Sequence, residues 1–490
     1  MLCYLLNSFK PKRNTSPGLN PQSHQDISTP EEWLARKVRE ATTNSNTSSI
    51  DDLNPSLANL RNTVQNDPSL AALADTMFIQ AAALRPRDPT EQPAIQTFRQ
   101  FLQVVNVIMR HGPQFFDRPG NEDAMGFVAA PINALLNWPM GTAAGYEFFR
   151  RREVNEAMGS VLSAWGKFLA SRASRGCLRG WVSASGQVVM AERANAAVRE
   201  GEAGERLGFQ ELFVCPDAED TETLGFESWD AFFVRRFREG VRPVEFPDDE
   251  DEGDEKLSGV SGSTSNTFGI EVDDNTSVIV NACESAPLQV VSNVALRADV
   301  TLKGQPYSLV DMLNGNPLAP QFVGGTVYQA YLSAFSYHRW HAPVSGRIVE
   351  VEMIPGTYFS VNRYQGLAMA AGGDGADGGD ADPQAPCMSQ AYTASVATRA
   401  VVYIQARNPM IGTMAIVFVG MTEVSSCEVT VRVGEDVVKG QEIGMFHFGG
   451  SSHCLVFRPG VALRFIGNRP PWAMGHEANN RVKSALAVVA

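Results

Sequence analysis

The sequence lacks several features that would settle its class early. Its seven cysteines (Cys3, Cys177, Cys215, Cys283, Cys387, Cys427 and Cys454) are scattered, odd in number and never spaced Cys-x-x-Cys. That argues against a disulfide framework and against a zinc site, so no metal is expected. No apolar run approaches the ~18 residues of a membrane span. The opening Met1-Leu2-Cys3-Tyr4-Leu5-Leu6 is too short for a secretory core and has no basic segment before it. There is no basic stripe to neutralise phosphates, so nucleic acid is not an expected partner. The net charge of −13 is mostly local: seven carboxylates between Asp248 and Glu255 and four between Asp374 and Asp382 account for all but about −2. These absences predict a soluble, cytoplasmic protein with nearly neutral folded bodies.

At 490 residues the chain has room for two or three domains. Residues 1–28, rich in Asn, Ser, Pro and Gln, read as disordered. Thr29-Pro30-Glu31-Glu32 reads as a capping box with proline in the first helical position, opening a helix through Arg39. Mainly helical patterning continues to about residue 240, with apolar residues at three- and four-residue spacing over Thr97–Arg110 and Tyr146–Arg172. Such stripes read as core packing. Two low-complexity inserts, 247–267 and 371–386, read as mobile surface loops. Around them lie short β runs, among them Ser277–Val280, Gly346–Val351, Ala400–Ile404 and Ala415–Val419, separated by Gly, Pro and Asn turns. The prediction is an α+β protein: a helical domain over 29–220, then a β-rich barrel or sandwich domain over 221–490.

Three elements of the β-rich half carry polar groups in unusual company. Tyr337-His338-Arg339-Trp340-His341-Ala342-Pro343 holds two of the chain's seven histidines, three residues apart. They read either as imidazoles satisfied by backbone carbonyls or as catalytic groups. Cys283-Glu284-Ser285 places a carboxylate after an apolar strand, as an ordinary turn residue or as an orienting acid. Phe448-Gly449-Gly450-Ser451-Ser452 ends a strand-like run in a tight turn. Serine, histidine and carboxylate are the parts of an activated nucleophile. Yet there is no Gly-x-Ser-x-Gly elbow. A glycine before the serine leaves its carbonyl open to approach, which favours attack on the chain's own peptide bond.

These segments together resemble the phosphatidylserine decarboxylase family of self-cleaving pyruvoyl enzymes. The resemblance rests on six ordered stretches between about residues 220 and 460: Phe226–Phe237 with Gly240-Val241-Arg242-Pro243; Lys303-Gly304-Gln305-Pro306-Tyr307-Ser308-Leu309; Tyr337–Pro343; Pro355–Asn362; Val419-Gly420-Met421-Thr422; and Phe448–Ser452. A closer similarity, in Ala282–Ser285, His338–Val344, Gly420–Glu423 and Gly444–Ser452, is to the fungal branch that contains the tryptophan decarboxylase of psilocybin biosynthesis. Where the family commonly has Cys-Asp-Gly, this chain has Cys283-Glu284-Ser285.

The resemblance implies a proenzyme cleaved between Gly450 and Ser451. The cofactor would be a covalent pyruvoyl group made from Ser451, joined to the substrate amine as a Schiff base and serving as electron sink. It implies His341 as the base that activates Ser451, Glu284 as its orienting acid, and His338 as a later proton or carboxylate partner. Without Glu284 the triad would be a dyad. Met421 and Thr422 would line the site, with Thr422 near the oxyanion, and Tyr358 and Phe359 are pocket-wall candidates. His447 and His453 match no functional position and read as solvent or supporting residues. The expected substrate is a free aromatic L-amino acid such as tryptophan, with phosphatidylserine or a non-catalytic binding role as alternatives. A membrane partner is not expected, because an acidic loop would repel anionic lipid. The β and α chains would stay associated after cleavage, a homodimer of that pair being left open.

Overall fold

The computed structural model describes residues 30–43, 52–84, 95–115, 130–195, 206–248, 272, 274–298, 307–362, 389–423, 426–448, 451–466 and 479–489. Residues 1–28, Thr29 of the expected capping box, the insert 371–386 and residues 449–450 lie outside them.

The periodic N-terminal stretches fold as α1 (Pro30–Thr43), α2 (Pro55–Gln65), α3 (Pro68–Leu84), α4 (Phe98–Ile108), α5 (Pro131–Leu136), α6 (Ala143–Phe149), α7 (Arg152–Leu169) and α8 (Ala184–Asn195). Local chemistry sets several of the starts. Asn54 caps α2 ahead of Pro55, and the Thr97 hydroxyl accepts the Gln100 amide at 3.1 Å to open α4. The periodicity that runs unbroken from Tyr146 to Arg172 is interrupted in space. Arg151 leaves the helical region (φ −69°, ψ 130°), and the Asn155 amide donates to the carbonyls of Phe149 and Arg151, each at 2.8 Å. One side chain thus ends α6 and steadies the start of α7.

The chain forms two compact units. The first takes Met1–Gly186, Glu219–Phe232 and Gly356–Thr393; the second takes Gln187–Ala218, Phe233–Pro355 and Ala394–Ala490. The first is helical, with an aromatic core in which Phe98 lies 6.0 Å from both Phe101 and Phe148, ring centre to ring centre. A cavity of about 440 Å³ opens between α2, α3 and α4, lined among others by Arg61, Asp75 and Arg99. None of the expected site residues reaches it.

The second unit is built on antiparallel sheets. Its strands are β1 (Val278–Val280), β2 (Ala286–Ser292), β3 (Thr326–Leu332), β4 (Arg339–His341), β5 (Gly346–Ile354), β6 (Arg399–Ala406) and β7 (Thr413–Gly420), followed by β8 (Ser426–Val429), β9 (Asp436–Val437), β10 (Glu442–His447), β11 (Ser451–Phe457), β12 (Leu463–Phe465) and β13 (Ala485–Val489). They pair in the orders β2-β3-β11-β7-β6-β5-β9, β4-β10-β8 and β1-β13-β12. The large sheet is open, with β2 and β9 at its edges, so the barrel alternative is not realised among the described residues. All seven residues of β11 are buried, as suits a strand covered on both faces.

The acidic insert expected at 247–267 starts differently from the expectation. Its first two residues are described, and Asp248 is buried against the Lys439 ammonium at 2.9 Å. A paired charge can leave solvent where a run of like charges cannot. Residues 249–267 lie outside the described residues.

Candidate active site

Ser451 is the first residue of β11 and faces Leu332 of β3 on one side and Gly420 of β7 on the other. It is 1 % exposed, and its hydroxyl has no hydrogen-bond partner among the described residues. A buried hydroxyl is rarely left so, because an unmet group costs about 1–3 kcal/mol. The backbone is strained close by in sequence and pairing. Phe448 (φ 66°), three residues before Ser451, and Thr422 (φ 55°), two residues beyond Gly420, both occupy the left-handed region. That conformation costs a side-chain-bearing residue roughly 1–2 kcal/mol.

Alternation along β4 decides which way its side chains look. The Trp340 ring lies flat on Phe418 (3.8 Å, 5°) and edge-on to Phe446 (4.6 Å, 73°). Phe418 of β7 sits opposite His453 and shares a sheet face with Gly420 and Ser451. Trp340 therefore covers the face of the large sheet that bears Ser451. A Cβ on Gly444 would collide with that indole, which is why β10 carries glycine there. His338, the residue just before β4, is buried and stacks on Phe233 at 4.0 Å.

Arg339 and His341 take the other side. Arg339 pairs with Glu442 at 2.6 Å. His341 Nδ1 lies 2.8 Å from the Gly440 carbonyl, and its Nε2 lies 3.1 Å from the Tyr337 hydroxyl. A carbonyl only accepts, so Nδ1 carries the proton and Nε2 accepts from Tyr337. Burial pushes the ring down to about 3, helped by the positive charges of Lys483, Arg339 and Arg236 and opposed by the Gly440 bond. The imidazole is neutral.

The expected contact between Glu284 and His341 is not made. Glu284 accepts two bonds from Arg242, at 2.6 and 3.1 Å, and a third from the Val482 amide at 2.9 Å. The reason is electrostatic: a carboxylate that is 1 % exposed needs a counter-charge, and a forked guanidinium meets it better than a neutral ring. The two segments still lie side by side, since the His341 amide donates to the Ala282 carbonyl at 2.9 Å. Nor does a hydrogen bond join His341 to Ser451 among the described residues.

The other expected residues divide. Thr422 is buried just past the end of β7, after the half-buried Met421. Tyr358 and Phe359 belong to the helical unit instead. Phe359 lies 5.8 Å from Phe149, and the Tyr358 hydroxyl occupies the space that a side chain at Gly159 would need. Gly450 lies outside the described residues. His447 is paired with Glu428 at 3.0 Å near the surface. His453, by contrast, is fully buried, with no partner for either ring nitrogen among the described residues.

Two family models match the sequence, both described as phosphatidylserine decarboxylase, over residues 54–190 and 229–475. The chain belongs to the phosphatidylserine decarboxylase family. Within it, the chain is 40% identical to the decarboxylase iboD of Amanita muscaria over 363 residues, 71% of this chain and 89% of that protein. It is 34% identical to the L-tryptophan decarboxylase of Psilocybe cubensis over 376 residues, 75% of this chain and 74% of that protein. Phosphatidylserine decarboxylase proenzyme 3 of Schizosaccharomyces pombe matches more distantly, at 26% over 244 residues, 49% of this chain and 20% of that protein. The chain is thus related both to amino-acid decarboxylases and to phosphatidylserine decarboxylases, and no helix among the described residues is long and apolar enough to cross a membrane. Against that family background, sequence reasoning missed two residues. Arg242 and Tyr337 both stand inside the quoted family motifs, but only the fold reveals what they hold. His453, read from the sequence as a solvent or supporting residue, is not at the surface but fully buried.

Proposed function

We propose that this chain is a self-processing, pyruvoyl-dependent decarboxylase acting on a free aromatic L-amino acid, tryptophan being the first to test. The observation that carries the reading is Ser451. It is a buried hydroxyl with no hydrogen-bond partner among the described residues, at the start of a central strand, directly after Gly449-Gly450 in the sequence and on the sheet face beneath Trp340. Such a hydroxyl fits a residue that is consumed in making a cofactor. Ser451 Oγ attacks the Gly450 carbonyl and the acyl group shifts from nitrogen to oxygen. Elimination breaks the Cβ–O bond, releasing residues 1–450 as a carboxylate. Water then displaces ammonia from the dehydroalanine left at the head of a 40-residue chain, leaving pyruvoyl. That group supplies an electron sink for loss of carbon dioxide.

The resemblance makes His341 the base for the Ser451 proton: Gly440 holds Nδ1–H, so Nε2 is the accepting nitrogen, and to reach Ser451 it must leave the Tyr337 hydroxyl and turn from the far side of β4. Gly440 takes the orienting part expected of Glu284, as backbone carbonyls commonly do for imidazoles. Glu284 instead ties Arg242 to the Val482 amide, and so holds the C-terminal segment in place. His338, just before β4, serves the substrate carboxylate or returns the proton. Thr422 stands near the oxyanion of the acyl shift, beside Met421.

The Psilocybe relative named L-tryptophan decarboxylase, more similar than the phosphatidylserine decarboxylase of Schizosaccharomyces pombe, supports a free amino acid over a lipid. The family description favours phosphatidylserine as the second reading. A denaturing gel tests the chemistry: wild type splits into two chains and Ser451→Ala stays whole. Uncleaved wild type would leave only a non-catalytic relative. Assaying one cleaved preparation on L-tryptophan and on phosphatidylserine vesicles tests the substrate, and activity on vesicles alone would reverse the order.

A further inference from the structure

One buried imidazole beside this centre has no part in that scheme. His453 stands two residues along β11 from Ser451, opposite Phe418 on β7 and Ala330 on β3. Residues two apart on a strand point to the same face, and two steps of about 3.3 Å put His453 roughly 7 Å from Ser451. That is the order of the distance from an amino acid's α-nitrogen to the far side of an aromatic ring.

The surroundings of His453 are aromatic. The Tyr328 ring lies 6.1 Å away at 64°, and Phe418, opposite, carries the Trp340 indole flat upon it. Yet His453 is 0 % exposed and neither nitrogen has a partner among the described residues; the Trp340 indole N–H, also buried, has none either. A neutral imidazole must offer one donor and one acceptor. A folded chain seldom keeps such groups unmet in an aromatic setting unless something from outside meets them.

We infer that His453 is a specificity residue that hydrogen-bonds a ring heteroatom on the side chain of the substrate, selecting aromatic amino acids that carry a ring N–H over isosteres that lack one. The inference rests on the amino-acid reading above and extends it. Burial pushes the His453 ring down to about 3, so it acts as a neutral hydrogen-bonding group, not as a cation for a carboxylate. A site built to bond a polar substrate atom rejects the analogue without it far more strongly than an apolar pocket rejects a misfit.

The test compares L-tryptophan with L-3-benzothienylalanine, in which sulfur replaces the ring N–H at nearly constant shape. Cleaved wild type should favour tryptophan in kcat/KM by about 10–100-fold, the range expected when a buried polar group loses its partner. His453→Leu and His453→Met should bring the ratio within about threefold of one by losing tryptophan activity, while His453→Gln restores part of it. Binding gives a second readout: calorimetry should find tryptamine tighter than its benzothiophene counterpart in wild type and equal in the apolar variants. Wild type that treats the two amino acids alike overturns the inference without any variant being made. So do apolar variants that keep the wild-type ratio, or that lose both substrates equally while still self-cleaving. Cleaved wild type inactive on every free aromatic amino acid would sink the amino-acid reading itself, and the inference with it.

Discussion

At His341 the tautomer follows from the company the ring keeps. The Gly440 carbonyl fixes the proton on Nδ1, and the Tyr337 hydroxyl occupies the lone pair that a base must use. Tyr337→Phe frees that lone pair, so self-cleavage followed on denaturing gels should run at least as fast as in wild type. Slowing beyond tenfold would mean that the phenol takes part in moving the proton. Glu284 makes the opposite case, a residue legible as a strand-end carboxylate whose partner was not legible. Arg242 stands 42 residues earlier in the chain. No spacing rule connects the two; the fold does, because each side chain is nearly buried (7% and 2% exposed) and needs the other. Arg242→Met strands the carboxylate, and should cost about 3–5 kcal/mol in urea denaturation. The double variant Arg242→Met with Glu284→Leu should recover part of that loss, since the uncompensated charge is then gone.

Among the elements, β11 links the proposed chemistry to the architecture. It lies between β3 and β7, paired along its length on both sides, while β12 and β13 of the same C-terminal stretch pair with each other and β13 with β1. Cleavage before Ser451 would therefore leave a 40-residue chain whose first strand is the middle of a sheet. Withdrawing it would expose seven buried residues and two ladders of backbone groups. The two chains should co-elute on native size exclusion and separate only in denaturant; separation under native conditions would contradict this. The existence of the β runs near Val278, Gly346, Ala400 and Ala415 was legible because each is apolar and bounded by turn residues. Their order in the sheet was not, because β11 joins β3 and β7 across more than a hundred and about thirty residues of chain respectively.

At the scale of the whole molecule, two buried neutral imidazoles link stability to pH. His341 and His453 are each pushed down to about 3 by burial, from an ordinary value of 6.5. As pH falls through 6.5 the unfolded chain binds these two protons before the folded one does. Their contribution is therefore whole above about pH 6.5 and is lost progressively toward pH 3, at about 1.4 kcal/mol per pH unit for each group. Urea midpoints between pH 7 and pH 5 should fall accordingly, and His453→Leu should make the fall shallower; a midpoint that does not move would show the rings already protonated or exposed. The sequence alone determined the family and the helical and β-rich halves, because those are local signals of periodicity and ordered short motifs. Only the tertiary structure decided that Tyr358 and Phe359 pack into the helical unit, that Glu284 serves Arg242 and not His341, and that His453 shares Ser451's face. Those outcomes depend on which buried charge finds a counter-charge and which strand lies beside which, and burial and pairing are properties of the folded chain.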